Sequence, residues 1–245
     1  MKQSFISRPW RLGETPLSSL PPENRYWAEP KSFKDKNKKF MKNSAPQDNM
    51  QGGRQSEEPV RLFVGIAPDK NTQRFLDGIC AAREQQGMPR KFRWTSHTNR
   101  HLTLAFLGDT DPAHLDTIEI RLKDIAQHTA PLDGRIVSTH PFPKARARLF
   151  AAELLPSQRL LELHQACQAL MRAIGKTPEK KSFRPHFTLA RSPGGFASLL
   201  PVPTDFICHL NNITLYHSLL APGGSQYQPL LTLPLTGACV PGDAS

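Results

Sequence analysis

The chain contains the stretch Arg100-His101-Leu102-Thr103-Leu104-Ala105 and, much further on, Pro185-His186-Phe187-Thr188-Leu189-Ala190. Both read His-x-Thr-Leu-Ala with an apolar residue in the gap. Successive side chains of a β-strand point to opposite faces of the sheet. Each stretch, as a strand, therefore places its histidine and threonine on one face and its apolar side chains on the other. The repetition predicts two histidines that face a common site.

The residue types in the repeated stretches suit phosphoester chemistry. Histidine gains and loses a proton near neutral pH, with an unperturbed pKa of about 6.5, so two histidines can divide proton transfer between them. Threonine two residues later adds a hydroxyl on the same face, which can donate to a phosphoryl oxygen or support its histidine. Neutral donors and a cation can stabilise the charge that spreads over the oxygens in the transition state. A single His-x-Thr strand is usually only a polar face, so the prediction depends on the repeat.

Hydrophobic periodicity around the two stretches predicts an alternation of strands and helices. We expect the first motif strand to run to Leu107 and to stop at Gly108-Asp109. Besides the motif strands, we expect strands over residues 61–66, 91–95, 132–138, 148–154, 207–219 and 226–235. We expect helices over residues 71–86, 113–128 and 157–175, the last one capped by Ser157. A unit that contains β-α-β-β occurs twice, each copy with one motif strand. The sequence thus predicts an α+β fold of two duplicated lobes, with antiparallel sheets around a central cleft.

The composition of the 245-residue chain is uneven. Residues 1–58 are rich in Pro, Lys, Asn, Ser and Gln without sustained periodicity, so we expect a disordered basic tail there. We expect a folded domain over 59–237 and a flexible C-terminus over 238–245. Within the tail, the basic segment 31–40 contains two phenylalanines, and it either helps to hold single-stranded nucleic acid or is a solvated linker.

The net charge of +11 favours an anionic partner. RNA, DNA and a phosphorylated small molecule are all compatible with it, and so is a basic surface that only aids solubility.

Cysteine usage and hydropathy indicate the compartment. The four cysteines, Cys80, Cys167, Cys208 and Cys239, are scattered without a Cys-x-x-Cys pair, which fits reduced thiols. The start of the chain lacks the apolar core of a secretory signal, and no stretch approaches the roughly 20 apolar residues of a membrane span. We expect a soluble, cytoplasmic protein without a membrane partner. Nothing in the sequence demands an oligomer, so a monomer is expected.

Metal and cofactor sites are not predicted. His97 and His101 are four residues apart, which on a strand separates them by about 13 Å. No carboxylate lies in either motif and no His/Cys cluster has zinc-ligand spacing. Gly194-Gly195 and Gly223-Gly224 indicate turns rather than phosphate-binding loops. The remaining histidines are expected at the surface or on helix faces: His114, His128, His140, His164, His209 and His217.

Residues 100–108 and 183–191 together resemble the paired signatures of the 2H phosphoesterase superfamily. More narrowly, they resemble the bacterial RNA 2′,3′-cyclic phosphodiesterases, also called 2′-5′ RNA ligases. Residues 61–66 are similar to the opening strand of that family and residues 215–218 to a late strand. The resemblance covers about residues 60–235 and leaves out the tail, which the family does not usually carry.

The resemblance implies metal-independent opening of a 2′,3′-cyclic phosphate at an RNA 3′ end, which leaves a 2′-phosphate. One of His101 and His186 would activate water and the other would protonate the leaving 3′ oxygen, in an order that the sequence does not determine. Thr103 and Thr188 would bind the non-bridging oxygens. Arg191 matches the arginine after the second motif of the family. Strict alternation would put it opposite to His186, so it must come from the strand end or past a bulge.

Two alternatives stay open beside cyclic phosphodiester hydrolysis. One is 2′-5′ RNA ligation by the reverse chemistry in the same site. The other is a non-catalytic RNA-binding module, which would not require the His-Thr pairing. Arg184 and Lys181 are weaker candidates for contact with an RNA backbone. Phe63, Phe150 and Tyr216 are candidates for base stacking, although core packing is the better expectation for each.

Overall fold

The computed structural model describes residues 58–221 and 224–238. Except for Glu58 and Ala238, the expected tail and the expected flexible C-terminus lie outside these residues, as does the basic segment 31–40. The described part contains nine strands and three α-helices. The strands are β1 (Val60–Ile66), β2 (Arg93–Trp94), β3 (Leu102–Thr110), β4 (Leu132–Phe142), β5 (Leu149–Leu155), β6 (His186–Arg191), β7 (Val202–Leu210), β8 (Asn212–Ala221) and β9 (Gly224–Pro234). The helices are α1 (Lys70–Gln86), α2 (Leu115–His128) and α3 (Gln158–Ala173).

The strands pair antiparallel in the order β7-β4-β5-β6-β3-β1-β8-β9, and the short β2 pairs with β6. We call β1, β3, β8 and β9 the first half of the sheet, and β4 to β7 the second half. The two halves meet where Leu102 of β3 pairs with Phe187 of β6. The two motif strands are therefore neighbours in the middle of the sheet. The predicted α+β fold with two antiparallel lobes is confirmed.

The motif strands alternate as the sequence predicts. Leu102, Leu104, Phe187 and Leu189 are at most 2% exposed, and they form part of the core between the sheet and the helices. Burial of each such side chain contributes about 1.5–3 kcal/mol. The histidine and the threonine of each motif are only half-buried. The apolar face thus fixes the strands, and the polar face is left for a site.

Two helices tie the halves of the sheet together. Helix α1 follows β1 of the first half, yet its Phe75 stacks on Phe206 of β7 with ring centroids 4.0 Å apart. Helix α3 follows β5 of the second half, yet Nδ1 of His164 lies 2.8 Å from the carbonyl oxygen of Leu104 in β3. Each helix thus packs on the half of the sheet that does not contain the strand before it. The relative position of β3 and β6 is therefore held by these helices as well as by the single residue pair between the two strands.

Local signals start the two helices. Asp69 caps α1 by accepting a hydrogen bond from the backbone nitrogen of Thr72. Ser157 caps α3 as predicted, because its hydroxyl accepts from the backbone nitrogen of Leu160. Such caps satisfy backbone donors that have no partner within the first turn. None of the described helices is long and apolar enough to cross a membrane.

The expected single strand over 207–219 is wrong. Strand β7 ends at Leu210 and pairs with β4, whereas β8 begins at Asn212 and pairs with β1 and β9. The two strands therefore lie in different halves of the sheet. Apolar residues continue on both sides of Asn211, so the periodicity alone does not reveal the break.

Strand β3 is longer than predicted and continues to Thr110. The sequence predicts an end at Gly108, but this glycine adopts a φ of 66° within a bulge opposite β1. Glycine tolerates this conformation, so the strand bends there and continues.

The three described cysteines, Cys80, Cys167 and Cys208, are free and buried. Burial raises the pKa of Cys167 to about 12, so its thiol stays protonated at neutral pH.

Candidate active site

His101 lies directly before β3 and is held by a backbone contact. Its Nδ1 is 2.8 Å from the carbonyl oxygen of Asn99, two residues earlier. A carbonyl can only accept, so Nδ1 carries the hydrogen and Nε2 of the neutral ring is an acceptor. The ring packs against Phe63, with centroids 4.6 Å apart, and edge-on against Tyr227 at 5.0 Å. The tautomer and the orientation of His101 are therefore fixed.

His186 begins β6 and is held in the same way. Its Nδ1 lies 2.8 Å from the carbonyl oxygen of Arg184, again two residues earlier. The ring stacks on Phe142 with centroids 4.0 Å apart. Both motifs thus use one local arrangement, in which the strand entry itself orients the imidazole and leaves Nε2 without the proton.

The strand register brings the four motif side chains together. Because Leu102 pairs with Phe187 in an antiparallel ladder, His101 falls opposite Thr188 and Thr103 falls opposite His186. All four point away from the core and are half-buried. A cavity of about 520 Å³ opens on this face, and its lining includes His101 and Thr188. We call it the site cavity. His186 and Thr103 are not among its lining residues.

Arg191 reaches the same face through a bulge. Thr188 pairs with Ala151, but Ala190 pairs with Phe150, so Leu189 is an extra residue in β6. The extra residue reverses the alternation, which brings Arg191 to the side of His186 and Thr188. Arg191 is exposed and lines the site cavity.

Burial is the largest influence on the pKa of both histidines. It lowers the pKa of His101 to about 4, and the nearby charges of His186 and Arg191 act in the same direction. Burial also lowers the pKa of His186, against the opposing influence of the Arg184 carbonyl and of Glu153. Both rings are therefore neutral at neutral pH in the absence of a ligand. An anion beside them acts in the opposite direction and favours protonation.

A network around the carboxylate of Glu153 lies beside His186, and no sequence pattern predicts it. Glu153 is the cross-strand partner of His186 in β5. Its carboxylate accepts from Arg184 at 2.7 Å and 2.9 Å and lies 2.7 Å from Nε2 of His140. The Arg184 guanidinium lies 4.6 Å over the ring of Phe142, which stacks on His186. Arg184, a weaker candidate for RNA contact, is thus engaged with Glu153.

His101 has support of a different kind, from a distant strand. The Asn99 side chain donates to the carbonyl oxygen of Ser225 at 2.8 Å and accepts from the backbone nitrogen of Tyr227 at 3.1 Å. These bonds attach the turn before His101 to β9. Asn99 is 126 and 128 residues away from these two partners along the chain, so no local sequence pattern predicts the contacts.

The aromatic candidates for base stacking are core residues. Phe63 and Tyr216 are 2% and 5% exposed and stack on each other at 4.8 Å, and Phe150 is fully buried. Phe63 borders the site by packing against His101 and edge-on against Tyr227.

The described residues contain no group of three or more His, Cys, Asp or Glu side chains that would hold a metal ion. His97 pairs with Asp77 at 2.7 Å rather than with His101.

Comparison with solved structures identifies the fold. A Thermus thermophilus protein, TT0787, has a TM-score of 0.64 at 24% identity, over 72% of this chain and 98% of that one. Escherichia coli LigT complexed with 3′-AMP has a TM-score of 0.61 at 24% identity, over 73% of this chain and 99% of that one. The fold is therefore LigT-like.

Curated relatives carry one activity in their names. The RNA 2′,3′-cyclic phosphodiesterase of Geobacillus stearothermophilus is 26% identical over 152 residues, which cover 59% of this chain and 48% of that protein. The protein of the same name from Escherichia coli (strain K12) is 26% identical over 181 residues, which cover 73% and 98%. The matched region thus spans about half of the first relative and nearly all of the second.

The family model of the 2′-5′ RNA ligase superfamily matches residues 68–196, just over half of the chain, and this range contains both motifs. The chain belongs to the 2′-5′ RNA ligase superfamily, the 2H phosphoesterases.

Proposed function

We propose that this protein hydrolyses 2′,3′-cyclic phosphate ends of RNA to 2′-phosphomonoesters, with His101 and His186 as its proton carriers and without a metal ion. The observation that carries the proposal is the duplicated histidine geometry. Each ring is held at Nδ1 by the carbonyl two residues earlier, and the pairing of Leu102 with Phe187 brings both to one face. Family membership and the names of the distant relatives support the same activity.

The chemistry requires two proton transfers. A water oxygen attacks the phosphorus in line with the 3′ oxygen, and Nε2 of one neutral imidazole takes the proton of that water. The bond between phosphorus and the 3′ oxygen breaks, and the other imidazole, protonated at Nε2, gives its proton to the leaving oxygen. The products are a 2′-phosphate and a free 3′-hydroxyl. Each positioned transfer contributes roughly 10²–10⁴-fold to the rate.

Neutral hydroxyls and one cation stabilise the charge on the phosphoryl oxygens. Thr103 and Thr188 share the face of the histidines and donate to the non-bridging oxygens. Arg191, which the bulge turns to this face, offsets the negative charge of the phosphate. Such donors act most strongly where water is partly excluded, as in this half-buried site.

The test is incubation with an RNA oligonucleotide that ends in a 2′,3′-cyclic phosphate, in the presence of EDTA, with the position of the phosphate read in the product. We expect a 2′-phosphate. A 3′-phosphate, or turnover only after a metal is added, would contradict the mechanism. A parallel reaction that contains RNA with a free 5′-hydroxyl tests the alternative of ligation, since a joined 2′-5′ product would show that the same site runs in reverse.

A further inference from the structure

A second cavity, of about 600 Å³, adjoins the site cavity. Arg93 and Arg191 line both cavities, so the two are neighbours. The second cavity also contains Lys91, Phe92 and Arg148, and none of its described lining residues is acidic. We call it the basic pocket.

The strand register concentrates positive charge in the basic pocket. Arg93 of β2 pairs directly with Arg191 of β6, which in turn pairs with Leu149, the residue after Arg148. Like charges directly opposite each other on neighbouring strands are destabilising. An anion bound between these side chains removes that repulsion, so the arrangement is suited to an anionic ligand.

Some other arginines of the described domain form ion pairs with carboxylates. Arg61 pairs with Asp109, Arg135 with Asp205 and Arg184 with Glu153. Among the described residues, no such ion pair involves Lys91, Arg93 or Arg148. The basic pocket thus brings together, on one concave surface, cations that have no carboxylate partner among the described residues.

Aromatic rings accompany the cations. Phe92 is half-buried in the basic pocket and packs edge-on against Trp94, with centroids 5.2 Å apart. Trp94 lines the site cavity. A positively charged groove with aromatic side chains is the arrangement that holds single-stranded nucleic acid, because phosphates meet the cations and bases stack on the rings.

We propose that the basic pocket binds the phosphodiester immediately 5′ of the cyclic end, so that the enzyme selects RNA strands over mononucleotide 2′,3′-cyclic phosphates. This inference rests on the proposed function. A cyclic phosphate occupies the 3′ terminus, so every other phosphate of the strand lies on its 5′ side. A second anion site that adjoins the first therefore receives the neighbouring phosphodiester. Arg148 and Lys91 contact this group, and Phe92 packs against a base.

The experiment compares kcat/KM for adenosine 2′,3′-cyclic phosphate and for the dinucleotide ApA with a 2′,3′-cyclic end. We expect the full-length protein to prefer the dinucleotide by at least about tenfold, and we expect this preference to fall as salt is raised. Arg148→Gln lowers the preference by about tenfold, because a charge-assisted bond to phosphate is lost. Lys91→Gln lowers it in the same direction and serves as a second variant if Arg148→Gln does not fold. Arg121→Gln, which removes an exposed arginine from α2, is the matched control and leaves the preference unchanged.

The outcomes separate the two proposals. Equal kcat/KM for both substrates, or an unchanged preference in folded Arg148→Gln and Lys91→Gln, overturns the role of the basic pocket and leaves the proposed function standing. Absence of turnover on either substrate overturns the proposed function, and the inference about the pocket with it.

Discussion

The surroundings of His101 and His186 differ, although the same backbone contact orients both rings. His101 packs among the rings of Phe63, Tyr216 and Tyr227, and no carboxylate is among the described groups that shift its pKa. His186 borders Phe142 and lies beside the Glu153 network. Orientation is thus a local property, repeated with the motif, whereas proton affinity depends on what the rest of the fold brings near each ring.

Because their surroundings differ, the two histidines do not bind a proton equally well. Burial lowers the pKa of His101 to about 4, whereas Glu153 opposes the effect of burial on the pKa of His186. When the pair holds one proton, we therefore expect it on His186 more than on His101. The two rings interact, so a titration reports apparent pKa values of the pair.

Substitution of either histidine tests whether catalysis needs both of them. We expect His101→Ala and His186→Ala each to lower kcat by about 10³-fold or more, since each removes a proton transfer and disturbs the other. The double variant should be little worse than either single one, because the two rings act as a unit. Single-turnover rates on the cyclic-ended oligonucleotide measure this. Strict multiplication of the two effects would argue that the rings act independently.

A second prediction concerns Arg191, the cation that we propose to bind the phosphate between the two histidines. We expect Arg191→Gln to lower kcat/KM by about 10- to 100-fold, which corresponds to the loss of one charge-assisted hydrogen bond. Arg191→Lys should recover part of the loss, because it restores the charge but not the planar fork. Wild-type kinetics in both variants would place the arginine outside the site. Circular dichroism of each variant controls for folding.

The pH profile reports the unequal protonation of the pair. The proposed mechanism needs one neutral ring and one protonated ring, so we expect a bell-shaped dependence of kcat/KM on pH. Both pKa values are lowered from 6.5, so the protonated ring loses its proton as pH rises through a value below 6.5. We expect the optimum of kcat/KM on the acid side of pH 6.5, with about a tenfold fall per unit at higher pH. An optimum above pH 7 would contradict the lowered pKa values.

We propose that Glu153 is a positioning residue for His186, and its removal should make the surroundings of His186 more like those of His101. Glu153→Gln takes away the charge that raises the pKa of His186 and leaves the Arg184 charge, which lowers it. The alkaline limb of the bell should therefore move to lower pH, with a loss of severalfold in kcat/KM at neutral pH. Asp205→Asn removes a carboxylate from the exposed ion pair with Arg135 in the described domain and is the matched control. A loss of rate without movement of the limb would indicate a structural role only.

The repeated motifs made the fold and the central pair of histidines predictable. The alternation of Leu102, Leu104, Phe187 and Leu189 against the polar residues is a property of any strand, so the sequence alone assigns the faces. The cap of α3 at Ser157 is equally local. These features need no knowledge of tertiary contacts.

The remaining features depend on register, which local patterns do not encode. The bulge at Leu189 becomes visible only through the pairing of β6 with β5, and the same pairing brings Glu153 to His186. Asn99 meets β9 through a contact between distant parts of the chain. The break at Asn211 interrupts a continuous apolar pattern. In each case the neighbouring strand decides the outcome.

The central claim is that His101 and His186 contact one phosphate together. Histidine side-chain NMR of the full-length protein, titrated with adenosine 2′-monophosphate, tests it most directly, with signals assigned from His101→Ala and His186→Ala. We predict that both rings carry hydrogen at Nδ1 in the free protein and that the apparent pKa values of both rise together when the ligand binds. A rise in the apparent pKa of only one ring, or of neither ring at saturating ligand, would contradict the claim.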